Sequence, residues 1–410
     1  MTFTKKSANT VPIADTVFKV VLKAREDRKK NGDAVIDATL GALFDEDGKF
    51  VTLKTVFRHY DEISPEVKGA YAADFTGNPG YREEVYRWVS GPADLSLAHS
   101  VIASPGGSGS VSSCFDAFLD PGETIILPEI GWVSYQLMAM QYHLKVRNYE
   151  LFENDKFAIN SLKEAVRDVM KTQDRVVLVL NDPCHNPTGY SLSYEEWQEL
   201  VLFLNEVSEQ VPVILIDDIA YIDYSYNLKN SRNYMSCFNG FTDNVMAVIA
   251  FSCSKSLTSY GLRCGASIVL AQKEEDVREA EIVLEKTARS IWSNIPNAAM
   301  ENFAWVVTEA KEPYLEEKEK YINLLKQRSD IFLAEAKACA LPIYPYKEGF
   351  FITVIVDDNK RVERIHEELM RRHIYTVTVN KGIRVAICSL PIRKVTGLAK
   401  KIKEVLDTTE

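Results

Sequence analysis

Lys255 closes the tetrapeptide Ser252-Cys253-Ser254-Lys255 directly after the apolar run 245–251, so its amine stands at the end of a strand that a sheet would bury. A lysine in that place loses part of its hydration, its pKa falls, and the amine becomes a nucleophile able to form a Schiff base. Further on, Arg263 lies in Tyr260-Gly261-Leu262-Arg263-Cys264-Gly265, where two glycines let the backbone bring a planar guanidinium against a phosphate. Taken alone, a lysine with a nearby arginine reads as solvated surface.

Three further groups sit just past apolar runs. Gly106-Gly107-Ser108-Gly109-Ser110 follows the run 100–103 and precedes a helix-like stretch 111–119. A glycine-rich loop opening a helix presents free backbone N–H groups and the positive dipole end to a phosphate. The same cluster also reads as a plain tight turn, and it lacks the Gly-Lys-Ser/Thr ending of a nucleotide P-loop. Asp218, in Asp217-Asp218-Ile219-Ala220-Tyr221, ends the run 213–216, where a buried carboxylate wants a cationic partner or else serves as a helix N-cap. Asn186-Pro187-Thr188-Gly189 follows the run 176–180 and offers an amide on a turn fixed by Pro and Gly.

The elements that must position these groups are short apolar runs at 100–103, 124–127, 176–180, 213–216, 245–250 and 266–270, alternating with amphipathic stretches. That alternation predicts an α/β fold, a large mostly parallel sheet sandwiched by helices. Open sheets of this kind gather ligands at the carboxyl ends of their strands, where the groups above fall. A charged helix over 314–340, opening just after Pro313, then a strand over 350–356, a helix over 361–372 and a strand over 383–387 predict a smaller α+β layer. We divide the chain into a large domain at 46–315 and a small domain made of 1–45 and 316–410.

A net charge of -10 and a pI near 5.3 speak against a general binder of nucleic-acid backbones. The seven cysteines are scattered with no C-x-x-C pair, which predicts reduced thiols, a cytoplasmic setting and no metal centre. The N-terminal stretch lacks the apolar region of a signal peptide, and no apolar run reaches the length of a membrane span.

Taken together and in this order, His185-Asn186-Pro187-Thr188-Gly189, Asp218 with Tyr221, and Ser252-Cys253-Ser254-Lys255 with Arg263 and Gly265 resemble the class I/II aminotransferases of fold type I, close in layout to the aspartate and aromatic enzymes. The resemblance covers nearly the whole chain. It implies pyridoxal 5'-phosphate as cofactor, with Lys255 forming the Schiff base and moving the proton at the substrate Cα. Asp218 would pair with the pyridine nitrogen, and Asn186 and Tyr221 with the ring's 3'-oxygen. Gly107, Ser108, Ser252, Ser254 and Arg263 would hold the phosphate. Trp132 matches the tryptophan that stacks on the ring, Arg384 the arginine that grips the substrate α-carboxylate, and Gly41 a small-domain glycine whose backbone reaches the same carboxylate.

Arg289, in Arg289-Ser290-Ile291-Trp292-Ser293-Asn294, resembles the arginine that crosses a dimer interface to bind a side-chain carboxylate. The resemblance therefore implies a homodimer acting on amino acids and 2-oxo acids, with an aromatic or aspartate donor, 2-oxoglutarate as acceptor and a ping-pong course. Phe44, Phe350, Phe351 and Trp292 could instead wall an aromatic side chain. One departure is Phe75, which stands where the family carries a tyrosine reaching the neighbour's phosphate; phenylalanine cannot make that bond. Either Tyr71 substitutes or the cofactor is held more weakly. The rival readings are a lyase on the same scaffold, catalysing β-elimination or β-decarboxylation, and a non-enzymatic effector domain, which would want a basic N-terminal module.

Overall fold

The computed structural model describes residues 3–11 and 16–409. Residues 1–2, 12–15 and 410 of the expected small domain lie outside the described residues. Seven strands form the main sheet: β1 (Ala98–Ser104), β2 (Thr124–Pro128), β3 (Lys145–Tyr149), β4 (Val176–Leu180), β5 (Val213–Asp218), β6 (Val245–Ser252) and β7 (Gly265–Ala271). Their order is β1-β7-β6-β5-β4-β2-β3, and only β7 runs antiparallel to its neighbours. The fold is α/β, as the alternation predicted.

The central strands are unbroken apolar runs because both of their faces are covered. In β4, Val176, Leu178 and Leu180 enter one core while Val177 and Val179 enter the core on the opposite face. β5 divides in the same way, Val213 and Leu215 against Ile214 and Ile216. A third core joins Ile36 and Ala38 to residues between Phe332 and Leu406. It packs on a three-stranded antiparallel sheet of β8 (Phe351–Ile355), β9 (Val377–Val379) and β10 (Gly382–Ala386), in the order β8-β10-β9.

The antiparallel strand explains where the site falls. Gly265, the first residue of β7, pairs with Ser252, the last of β6, and with Ser104, the last of β1. The ends of β5 and β6 lie side by side, Asp218 opposite Ala250. Lys255 follows on the short helix α3 (Cys253–Ser256).

Four local expectations need correction. The edge strand β3 reads Lys-Val-Arg-Asn-Tyr, too polar to stand out as an apolar run, because an edge strand is wet on one side. The glycines at 106–109 are not a loop before the helix but the first turn of helix α1 (Gly106–Phe118). That turn needs no intrahelical N–H partners, so glycine's usual penalty is small there, and neighbours crowd it. A Cβ on Gly106 would stand 2.6 Å from Arg263 Nη2, and one on Gly109 2.4 Å from the Pro105 ring. The long helix, α5 (Lys311–Ala338), begins before Pro313 rather than after it. Proline is tolerated in a first turn, where its missing N–H is not needed. The helix placed at 361–372 begins at Asn359, because Asp358 caps it by accepting from Arg361 N.

Candidate active site

The N-terminus of α1, Ser252, Ser254 and Arg263 converge at the start of β7. Arg263 has a left-handed backbone (φ 51°), a conformation costing about 1–3 kcal/mol for a non-glycine residue. The residue is exposed, and its guanidinium is held against the start of α1: Nη1 donates to Ser254 Oγ (3.1 Å) and the Tyr260 carbonyl (2.7 Å), Nη2 to the Pro105 carbonyl (3.2 Å). Among the described residues no carboxylate bonds it. A Cβ on Gly107 would stand 3.2 Å from Ser252 Cβ, so a side chain there would crowd the cradle. Ser108 is half-buried in the same turn. A helix N-terminus, two hydroxyls and an acid-free guanidinium form the donor set that a phosphate dianion satisfies.

Lys255 Nζ donates to the Gly41 carbonyl at 2.8 Å and lies over the rings of Tyr260 (4.4 Å to the centroid) and Tyr221 (5.5 Å). Burial pulls its amine down to about 8; Cys388 opposes that shift, Arg384 and Arg263 add to it, and Asp218 opposes it. Gly41 is held where a Cβ would meet Phe351 Cζ at 2.7 Å. The neutral amine is the reactive form, so its fraction grows as pH rises through the folded pKa. In the cofactor-free protein, the rate at which Lys255 captures an aldehyde should therefore climb with a midpoint near pH 8. A midpoint near the ordinary lysine value of 10.5 would show that the amine is not desolvated.

Asp218 is buried at the end of β5 and uses its two oxygens separately. Oδ1 accepts from Ala220 N (3.1 Å), and Oδ2 accepts from the Tyr135 hydroxyl (2.6 Å). Burial pushes the carboxyl up to about 6, against the hydrogen bonds of Tyr135 and Ala220 and the charge of Lys255. Asn181 ties the turn behind it, donating to the Asp218 carbonyl (2.5 Å) and accepting from Asn186 N (2.8 Å). Tyr135 was not legible in the sequence. It is a phenol three residues past Trp132 on α2 (Ser134–Gln141), and only the fold brings that helix to β5. Tyr135→Phe should cost about 1.5–3 kcal/mol, roughly ten- to hundredfold in activity, and should move the acid limb of the pH profile upward. Removing a donor to the charged form raises the carboxyl's pKa, so the ionised state is lost at a higher pH. A steady-state pH profile of the variant checks both.

Arg384, on β10, is buried, and among the described residues it has no carboxylate partner. Nη1 donates to Asn186 Oδ1 (3.1 Å), Nη2 to the Thr39 carbonyl (2.8 Å), the guanidinium lies over Phe351 (4.3 Å), and Nε has no partner. Desolvation lowers its pKa, with Tyr221 and Cys388 opposing. Tyr221 is buried against Phe350 and Phe351, and burial raises its phenol so that it stays a donor. His185 bonds Thr188 Oγ1 through Nδ1 (2.8 Å) while its Nε2 is buried without a partner; burial holds it neutral, down to about 3. Trp132 is half-buried with its ring edge-on to Tyr135 (5.4 Å). The Tyr260 ring also lies under Lys255, and the Cys388 thiol stands close enough to act on both Lys255 and Arg384. Tyr260 stands in a quoted motif but its role gave no signal, and Cys388 gave none.

Arg289 stands apart. At the exposed end of α4 (Glu274–Ile291) it donates to Ser293 Oγ (2.6 Å) and lies over the Phe75 ring at 4.7 Å. Among the described residues no hydrogen bond joins it to Lys255, Asp218, Arg263 or Arg384. Phe75 is partly exposed and Tyr71 strongly so. Among the described residues no group of His, Cys, Asp and Glu is arranged to hold a metal ion, and no helix is long and apolar enough to cross a membrane.

A half-buried lysine just past the end of β6, an aspartate at the end of β5, and two arginines that no carboxylate bonds among the described residues make up the candidate site. The profile of aminotransferase classes I and II matches residues 42–402, and the chain belongs to that family. Pyridoxal phosphate is the cofactor of the family. Over its full length the chain is 34% identical to the aminotransferase from Anaerococcus prevotii, whose crystal structure it matches with a TM-score of 0.95 across 100% of both chains. It is 29% identical over 226 residues to an aromatic-amino-acid aminotransferase of Pseudomonas aeruginosa, covering 54% of each chain. An aspartate aminotransferase of the same organism is 25% identical over 269 residues, 64% of this chain and 65% of that one. The chain thus spans about half to two thirds of the length of these curated relatives.

Proposed function

We propose that the protein is an aminotransferase that moves the amino group of an aromatic amino acid, of aspartate, or of both to 2-oxoglutarate in a ping-pong course, as a homodimer. The observation that carries this reading is Arg384: a buried guanidinium with an orphaned Nε, no acid, and Asn186 at its side, close enough to Lys255 to depress that amine. A charge so buried wants an anion, and a planar guanidinium suits a carboxylate.

The residues fit the cofactor. The cradle of Gly107, Ser108, Ser252, Ser254 and Arg263 would hold its phosphate, Asp218 its ring nitrogen, Asn186 and Tyr221 its 3'-oxygen, and Trp132 one face of its ring. When bound, pyridoxal phosphate supplies an electron sink for negative charge at the substrate Cα. Arg384 orients the amino acid by its α-carboxylate, so that the Cα–H faces Lys255. The Lys255 amine, neutral in part near neutral pH, is the base placed to take the proton from Cα. The Tyr221 phenol stays protonated and would donate to the cofactor's 3'-oxygen. The rings of Tyr260, Tyr221 and Phe351 keep water from the amine.

Arg289 and Phe75 share one rim of the subunit. Placed across a dimer interface, the pair would present a guanidinium to a side-chain carboxylate. Arg289→Ala should lower kcat/KM for aspartate by about 2–3 kcal/mol, roughly 30- to 150-fold, and leave that for tyrosine within about threefold. Steady-state kinetics with each donor and 2-oxoglutarate test this; equal losses for both donors would remove Arg289 from specificity.

A further inference from the structure

Helix α5 carries two charged residues on the face that an amphipathic helix reserves for apolar ones. Tyr314, Lys318, Ile322, Leu325 and Arg328 are all buried on it, and Lys318 and Arg328 are fully so. A buried ammonium is expensive, and a methionine or leucine would fill the space at lower cost. What Lys318 does there is specific: its Nζ donates to the carbonyl of Ser256, and the Tyr314 hydroxyl donates to the same oxygen at 2.8 Å. Ser256 is the residue after Lys255 and the last of α3.

The surroundings do not explain the ammonium as a simple ion pair. Asp223 is already engaged by the Arg232 guanidinium and by Trp88 Nε1 (3.1 Å). The other neighbours of Lys318 are the rings of Tyr224 (4.0 Å to the centroid) and Tyr314 (5.4 Å). Burial pulls its amine down to about 7, with Asp223 opposing and Arg232 adding. Charged or neutral, the amine still donates to the Ser256 carbonyl. Further along the same face, Arg328 donates to the carbonyls of Cys388 (3.0 Å) and Phe44 (2.9 Å). One helix therefore grips both the turn that carries Lys255 and the segments bordering Gly41 and Arg384.

We propose that Lys318 is a positioning residue for amino transfer: with Tyr314, it clamps the Ser256 carbonyl and so fixes the turn that aims the Lys255 amine. The inference rests on the reading of Lys255 as the cofactor-bearing lysine. Freed from the clamp, the turn loosens, Lys255 gains access to water, and the desolvation that depresses its pKa relaxes.

The test uses the cofactor-loaded protein, full length, as wild type, Lys318→Met and Tyr314→Phe. Four quantities are read: the pH midpoint of the visible absorption of cofactor bound to Lys255, kcat, KM, and the melting temperature. Lys318→Met should raise the midpoint by roughly half a unit to one unit. It should lower kcat roughly ten- to hundredfold, with KM within about twofold. Tyr314→Phe should move the same quantities the same way by less. A purely packing role would change the melting temperature and leave midpoint and kcat alone, and that result would overturn the proposal. Should Lys318→Met fail to fold, Tyr314→Phe decides: unchanged midpoint and kcat overturn it. Cofactor fixed covalently to the Lys255→Ala chain by borohydride reduction would overturn the reading of Lys255 itself, a result distinct from any outcome at Lys318.

Discussion

Lys255→Ala should abolish the covalent attachment of pyridoxal phosphate and lower amino transfer by about a million-fold, the scale on which loss of a covalent nucleophile that also carries the proton acts. The effect is large because nothing nearby can take over. The residues around the amine are the phenols of Tyr221 and Tyr260, both raised by burial, the Cys388 thiol, pushed up to about 12, and the Arg384 guanidinium. None of these is a base near neutral pH, and Asp218, whose charge also reaches the amine, has its oxygens held by the Tyr135 hydroxyl and Ala220 N and would face the cofactor's ring nitrogen instead. The cradle of Gly107, Ser252, Ser254 and Arg263 remains, so the variant should still bind the cofactor reversibly. Reduction with borohydride followed by peptide mass analysis separates the two outcomes: the cofactor is fixed at Lys255 in the wild type and nowhere in the variant.

Arg384→Met should split stability from function. The substrate loses its carboxylate clamp at a cost of about 2–5 kcal/mol, roughly 30- to several-thousand-fold in kcat/KM. The folded, substrate-free protein should lose nothing and could gain, because an uncompensated buried charge with an orphaned Nε is replaced by an apolar chain of similar volume. Kinetics and a melting curve on the same preparation check this. A large fall in melting temperature together with lost activity would mean that Arg384 is a structural charge satisfied by Thr39 and Asn186 rather than a substrate group.

Both results depend on features that differ in how far the sequence displays them. The central strands were legible because burial on both faces makes them unbroken apolar runs, and the residues at their ends were legible because they are polar groups placed where burial is expected. β3 was not, since an edge strand does not need that pattern. The start of α1 was misplaced for a related reason: glycines ordinarily mark loops, and only the approach of Arg263 to Gly106 shows why they open a helix here. Tyr135 and Lys318 lie far from Asp218 and Lys255 in the chain and carry no local signature. A tyrosine on a short helix and a lysine on a charged one look like ordinary surface until the fold buries them. Arg289 was legible only through its resemblance, and the single chain leaves it at a rim beside Phe75.

The central claim is that nitrogen leaves one amino acid and arrives on a 2-oxo acid. The most direct measurement supplies the loaded protein with 2-oxoglutarate and tyrosine or aspartate labelled at nitrogen, and follows the label by mass spectrometry. The account predicts labelled glutamate together with the 2-oxo acid of the donor, in equal amounts, and none from Lys255→Ala. Labelled ammonia with pyruvate, or alanine with carbon dioxide, in place of glutamate would contradict it and make the protein a lyase on the same scaffold.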